Sequence, residues 1–87
     1  MKYVLELKTL AVLAQPETRR VLRELVKRKQ VRLPDLIDQD LSREQAVSAT
    51  RELAKAHLIK TRPGPIEDLS VYFITADGLA ADRQVTD

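Results

Sequence analysis

The stretch Leu41 to Lys60, LSREQAVSATRELAKAHLIK, puts Arg43, Gln45, Ser48, Arg51 and Lys55 among its polar positions. These side chains can read a polyanion with bases. A guanidinium matches O6 and N7 of guanine, and a carboxamide matches N6 and N7 of adenine. Ser48 and Lys55 suit phosphate oxygens. Glu44 and Glu52 dilute the positive charge, although a glutamate can accept from cytosine N4. The competing reading is a solvated helix face. Glu and Lys at pair spacing would be enough to fill such a face; the first half of this one offers Arg, Gln and Ser instead.

The stretch must be a helix to present them. Ser42 and Gln45 have the spacing of a capping box, in which hydroxyl and amide each satisfy a free backbone N–H. The spacing predicts a helix over 43–56 with Val47, Thr50, Leu53 and Ala54 facing inward. Val47→Asp is then expected to unfold the chain by burying an unpaired charge. Upstream, Pro34 biases Leu33 away from helical dihedrals, so Val31 to Leu33 reads as a short extended piece. A short helix follows with Leu36 and Ile37 buried, and Asp38 to Asp40 form a turn. That turn is no calcium loop: its sixth position would be Arg43 instead of Gly, and its twelfth Ala49 instead of Glu.

Pro16 and Glu17 suit the first turn of another helix, over 17–29. Thr18, Val21, Leu22, Leu25 and Val26 form its buried stripe. Arg19, Arg20 and Arg23 on that helix, with Arg32 after it, are further phosphate candidates. Residues 3–14 read as an N-terminal helix whose stripe of Val4, Leu7, Leu10, Ala11, Leu13 and Ala14 either packs in the core or forms a dimer seam. Beyond the capped helix, Leu58 to Arg62 reads as a strand, PGP (Pro63 to Pro65) as a loop, and Ser70 to Ile74 as the return strand. Lys60 and Arg62 on the first strand join the candidate contacts. Thr75 caps a last helix over 76–84, which Gly78 weakens slightly.

Composition narrows the class. An 87-residue chain is one small domain, with 44% hydrophobic and 32% charged residues. No cysteine is present, which excludes disulfides, thiolate metal sites and thiol catalysis. Aromatics make up 3%, a poor supply for stacking single-stranded bases. No apolar run nears the roughly 20 residues of a membrane span, and Glu6 and Lys8 spoil a signal peptide; a cytoplasmic protein is expected. The net charge of +2 is unevenly spread. Residues 17–32 and 43–62 are basic, and residues 33–42 and 66–87 acidic, as expected of a molecule with a basic face. No catalytic motif, cofactor loop or metal cluster is visible.

The element order is mainly α with a small β-hairpin (α+β): a helix-turn-helix over 34–57 followed by a wing over 58–74, all within 1–87. Here the sequence resembles the ArsR-type and MarR-type winged-helix regulators. LKTLAVLAQPETRRVLRELVKRKQVRLPDLI is similar to the ArsR-type opening. LSREQAVSATRELAKAHLIKTR is similar to the recognition helix and first wing strand of both types, and VYFITADGLA to their join from wing to helix. The resemblance covers about Leu7 to Ala80. It implies a cytoplasmic homodimer that inserts helix 43–56 into the major groove of double-stranded operator DNA and represses transcription until a ligand or metal releases it. Three departures matter. With no Cys and one His, a Cys/His metal sensor is not expected. His57 stands where the family often has Gly. The wing loop PGPIEDL carries Glu67 and Asp68, which repel phosphate and favour an alternative, a module that binds a protein partner at the wing and not DNA.

Overall fold

The computed structural model of the chain describes residues 6–86. Five helices and three strands follow in the order α1 (Leu7–Leu13), α2 (Pro16–Arg28), β1 (Gln30–Arg32), α3 (Leu33–Leu36), α4 (Arg43–Lys55), β2 (Ile59–Arg62), β3 (Val71–Ile74) and α5 (Ala76–Thr86). A 3-10 turn, Glu67–Leu69, lies inside the wing. The core is built from Val21, Leu22 and Leu25 of α2, Leu33 and Leu36 of α3, Ala46, Ala49 and Leu53 of α4, and Tyr72 of the sheet.

The capping box of α4 is formed: the Ser42 hydroxyl accepts from the Gln45 N–H at 3.2 Å, and the Gln45 Oε1 accepts from the Ser42 N–H at 2.9 Å. Its C-terminus closes with a Schellman pair, Leu58 N–H to Leu53 O and His57 N–H to Ala54 O, both 3.0 Å. This places His57 at φ 62°, where a side chain strains the backbone and glycine does not. His57→Gly is therefore expected to stabilise the protein by about 1 kcal/mol, seen as a higher midpoint in urea. The residue occupies a glycine position in conformation.

The turn between α3 and α4 is held by Asp38. Its Oδ1 accepts from the backbone N–H groups of Asp40 (2.8 Å) and Leu41 (2.9 Å), and its Oδ2 pairs with Arg20 of α2. The aspartate-rich turn is thus a joint between α2 and the helix-turn-helix.

Three expectations are corrected and a fourth is extended. Leu33 opens α3 instead of ending a strand: it is fully buried, and Asp35 accepts from the Arg32 N–H at 3.0 Å to close the first turn. The inward stripe of α4 is Ala46, Ala49, Thr50 and Leu53, with Val47 and Ala54 only half-buried on its flank. Val47→Asp therefore no longer places a charge in the core, because Val47 borders solvent. In α1 the buried residues are Thr9 and Leu13. Leu7 is 84% and Leu10 43% exposed, so the apolar stripe faces outward; the helix starts at Leu7, and Val4 with residues 1–5 lies outside the described residues. Finally, the expected hairpin of β2 and β3 is formed, and β1 extends it to a three-stranded sheet. Its order is β1-β3-β2, antiparallel throughout, with Val31 opposite Tyr72 and Thr61 opposite Tyr72 on the other side.

Candidate nucleic-acid interface

The buried stripe of α4 sets which residues point the other way. At 100° per residue, the line opposite Ala46, Ala49 and Leu53 is Glu44, Ser48, Arg51 and Lys55, spaced four, three and four residues apart. All four are exposed. Arg51 and Lys55 also line a groove of about 450 Å³ with Val47, Thr50, Thr61 of β2 and Tyr72 of β3. Helix and wing therefore form one continuous surface with two cations along it. Lys55 has Glu52 4.0 Å away, a surface pair that salt readily screens.

The other candidates are placed differently. Gln45 sits on the flank toward α2, and its Oε1 is used in the cap. Reading adenine needs both the carbonyl and the amino group of the side chain, so cap and base compete for the same oxygen. Ser48 lies where the outward line meets a second groove, shared with Gln15, Glu17, Glu44 and Gln45. Glu44, by sequence a diluent of the positive charge, occupies the first position of the outward line. The signal that could have found it was the Ala46–Ala49–Leu53 spacing, since alanine pairs mark the buried side of a closely packed helix.

Arg43, at the first position of α4, pairs with Asp68 of the 3-10 turn in the wing. Its guanidinium is held above its ordinary pKa, first by that hydrogen bond and further by the field of Asp68 and Glu67. The acid of the wing is thus turned onto the helix that bears the candidate contacts. Both partners are about half exposed, so a phosphate can compete for the arginine. Asp68→Asn is expected to strengthen binding to duplex DNA and to steepen the plot of log K against log salt by about 0.9, one extra phosphate contact. Weaker binding would instead make Asp68 the group that aims Arg43.

Of the α2 candidates, Arg20 is taken by Asp38, with Asp40 4.0 Å away. Arg19 donates to the Val85 carbonyl at 3.4 Å and, with Arg23, lines a groove against Asp82 and Val85 of α5. These arginines face α5 and not the outward line of α4. Arg32, Lys60 and Arg62 come together on the sheet. Arg32 and Arg62 both lie opposite Val71, and Lys60 opposite Phe73, so the three share one sheet face. Thr61, which belongs to the groove of Arg51, is on the other face. The eight candidates on α4, β1 and β2 therefore divide into two surfaces. Among the described residues no group of three or more His, Asp or Glu side chains is arranged to hold a metal ion.

This arrangement of helices and sheet recurs in solved structures. The fold is the winged helix-turn-helix of ArsR- and MarR-type regulators. The crystal structure of a possible transcriptional regulator for arsenical resistance matches with a TM-score of 0.71 at 26% identity, over 94% of this chain and 83% of that one. A MarR family transcription regulator matches with a TM-score of 0.73 at 23% identity, over 94% of this chain and 56% of its own. This chain thus spans little more than half the length of the MarR regulator. No family model and no curated protein matches the sequence. No helix among the described residues is long and apolar enough to cross a membrane.

Proposed function

We propose that the chain is a DNA-binding transcriptional regulator, a repressor, that places α4 in the major groove. The observation that carries this reading is the outward line of α4. Ser48, Arg51 and Lys55 are exposed along it, free of the core and continuous with the wing through Thr61. Arg51 is the base reader, Ser48 and Lys55 hold phosphates, and Arg43 joins them when Asp68 lets go. Gln45 serves the cap before it serves a base. Glu44 accepts from cytosine. Arg32, Lys60 and Arg62 supply positive charge on the other side of the wing sheet. The likeness in fold to solved transcriptional regulators supports the same reading.

The regulator acts as a homodimer in this reading. Its support is the exposed line of Leu7, Leu10, Ala11 and Ala14 on α1, an apolar strip on a chain too small to bury a large core alone. Two copies would present their α4 helices about 34 Å apart, one turn of the double helix.

The test is fluorescence anisotropy of a labelled mixed-sequence duplex, with protein of known oligomeric state, at two salt concentrations. Three or four phosphate contacts per copy give a slope near −3 in log K against log salt for a single copy and about −6 for the dimer. No binding at low salt would overturn the proposal. One observation favours a second reading, a protein-docking wing. Ile66 and Leu69 are 61% and 47% exposed beside Glu67 and Asp68, and an apolar pair with an acidic border fits a basic protein surface better than a phosphate backbone.

A further inference from the structure

The face of the sheet turned away from the helices lies apart from the outward line of α4, and the duplex reading gives it only a supporting charge. The register assigns its members. Arg32, Val71 and Arg62 form one row across the three strands, and Gln30, Phe73 and Lys60 the next. The opposite face holds Val31, Tyr72 and Ile59, all buried, and it is the face on which α2 and α4 pack. On the outer face Gln30, Arg32, Lys60 and Arg62 are exposed, and Val71 and Phe73 are partly exposed. No acid is among the six residues. Arg32, Lys60 and Arg62 make no ion pair among the described residues, whereas Arg20, Arg28, Arg43 and Lys55 each have an acid beside them. The chain's one phenylalanine therefore sits in the central strand with unpaired cations on both flanking strands.

We propose that this outer face binds single-stranded nucleic acid, one base stacking on Phe73 and the phosphates lying on Arg32, Lys60 and Arg62. A flat aromatic ring takes any base by its π face, and flanking cations take the backbone; this is how sequence-tolerant single-strand platforms work. The spacing fits a chain lying across the strands. Arg32 and Arg62 are two strand spacings apart, about 10 Å, and Lys60 is displaced from Arg62 by two residues, about 7 Å. The Gln30 carboxamide, in the Phe73 row, can donate to and accept from a base edge. Charge complementarity alone would also admit an acidic polypeptide; the ring at the centre of the cations favours a ligand with planar groups. The low aromatic content argues against such a platform in composition, but one ring suffices when the sheet places it among three cations. None of the residues on the outward line of α4 takes part, so this face stands or falls separately from the duplex reading.

The experiment is anisotropy of a labelled twelve-nucleotide oligo-dT and of a labelled duplex, with the whole chain and three variants. Phe73→Leu keeps an apolar side chain in the strand and is expected to weaken oligo-dT binding at least about fivefold, with duplex binding unchanged. The double variant Arg32→Ala/Arg62→Ala, at two exposed positions, is expected to flatten the salt dependence for oligo-dT by about 1.4, two contacts to a single strand. Arg51→Ala is expected to weaken the duplex and spare oligo-dT. The proposal is overturned if the wild-type chain does not bind oligo-dT, or if the Phe73 and double-arginine variants bind it as the wild type does. It is likewise overturned if poly-glutamate of equal charge displaces the labelled strand as well as unlabelled oligo-dT does, which would make the face a site for acidic protein. Loss of duplex binding with oligo-dT binding intact would count against α4 alone.

Discussion

Replacing Gly78 with alanine should destabilise the protein by about 3 kcal/mol and lower its thermal midpoint by roughly 15 °C. Helix propensity argues the opposite, because alanine in a helix is worth about 1 kcal/mol more than glycine. Geometry overrides it. A Cβ at Gly78 would stand 2.1 Å from the Leu58 carbonyl oxygen and 2.7 Å from the Ile74 Cδ1. The isoleucine tip can turn aside, but the carbonyl cannot. It accepts from the Thr75 N–H at 3.2 Å and from the Thr75 hydroxyl at 2.8 Å. The same hydroxyl accepts from the Gly78 N–H at 3.0 Å and caps α5. Moving α5 away to admit a methyl group would break that cluster and lift Ala81, fully buried, out of the core. Arg83→Ala, on the exposed side of α5, is the control and should change stability by less than about 0.5 kcal/mol. A Gly78→Ala protein with the wild-type melting curve would mean that α5 sits farther from the end of β2.

Arg51→Ala should weaken binding to the preferred duplex by about 1–3 kcal/mol, roughly five- to 150-fold, and relax selectivity at one base pair. Position is what makes Arg51 the proposed base reader. It lies on the outward line, away from the charge-paired end at Arg43, and none of the ion pairs among the described residues includes it. Its removal should leave thermal stability unchanged, since an exposed side chain without a partner contributes little to the folded state. Lys55→Ala makes the comparison informative. Taking away a phosphate-binding cation there should weaken all sequences alike and reduce the salt slope by about 1. If Arg51→Ala also weakens all sequences alike, Arg51 is a phosphate contact; if it changes no affinity, the assignment of α4 as the reading helix fails.

Local chemistry was readable where partners are near in sequence. Ser42 with Gln45 announced the start of α4, Pro16 that of α2, and the β-branched run of β3 stood out between its proline loop and Thr75. Readings failed where the deciding contact is distant. Nothing near Arg43 shows that Asp68 will hold it, and nothing near β1 shows that its neighbour is β3, about forty residues later. The α1 stripe was legible as apolar but stayed open between core and dimer seam, because periodicity does not say which side of a helix meets the core. In α4 the valine and leucine drew the inward stripe toward Val47. Packing chose the smaller Ala46 and Ala49, since α2 approaches closely there. Of the candidate site, the outward cations were found, Glu44 was undervalued, and the separation of Arg32, Lys60 and Arg62 from the helix became visible only with the register.

The central position of β3 has a consequence for the protein during its synthesis. β1 and β2 each pair with β3 and not with each other, so a nascent chain that stops short of Val71 contains no sheet. It already has the residues of α2, the Asp38 turn and the capped α4, whose turn and cap are closed by contacts two or three residues apart. The helix proposed to read DNA thus leaves the ribosome before the wing that flanks it. The segment from Val71 onward closes the sheet, clamps Leu58 through Thr75 and brings α5 onto α2 in one step. A chain cut in that segment would keep its basic helix but lose the surface that gives the helix a fixed direction.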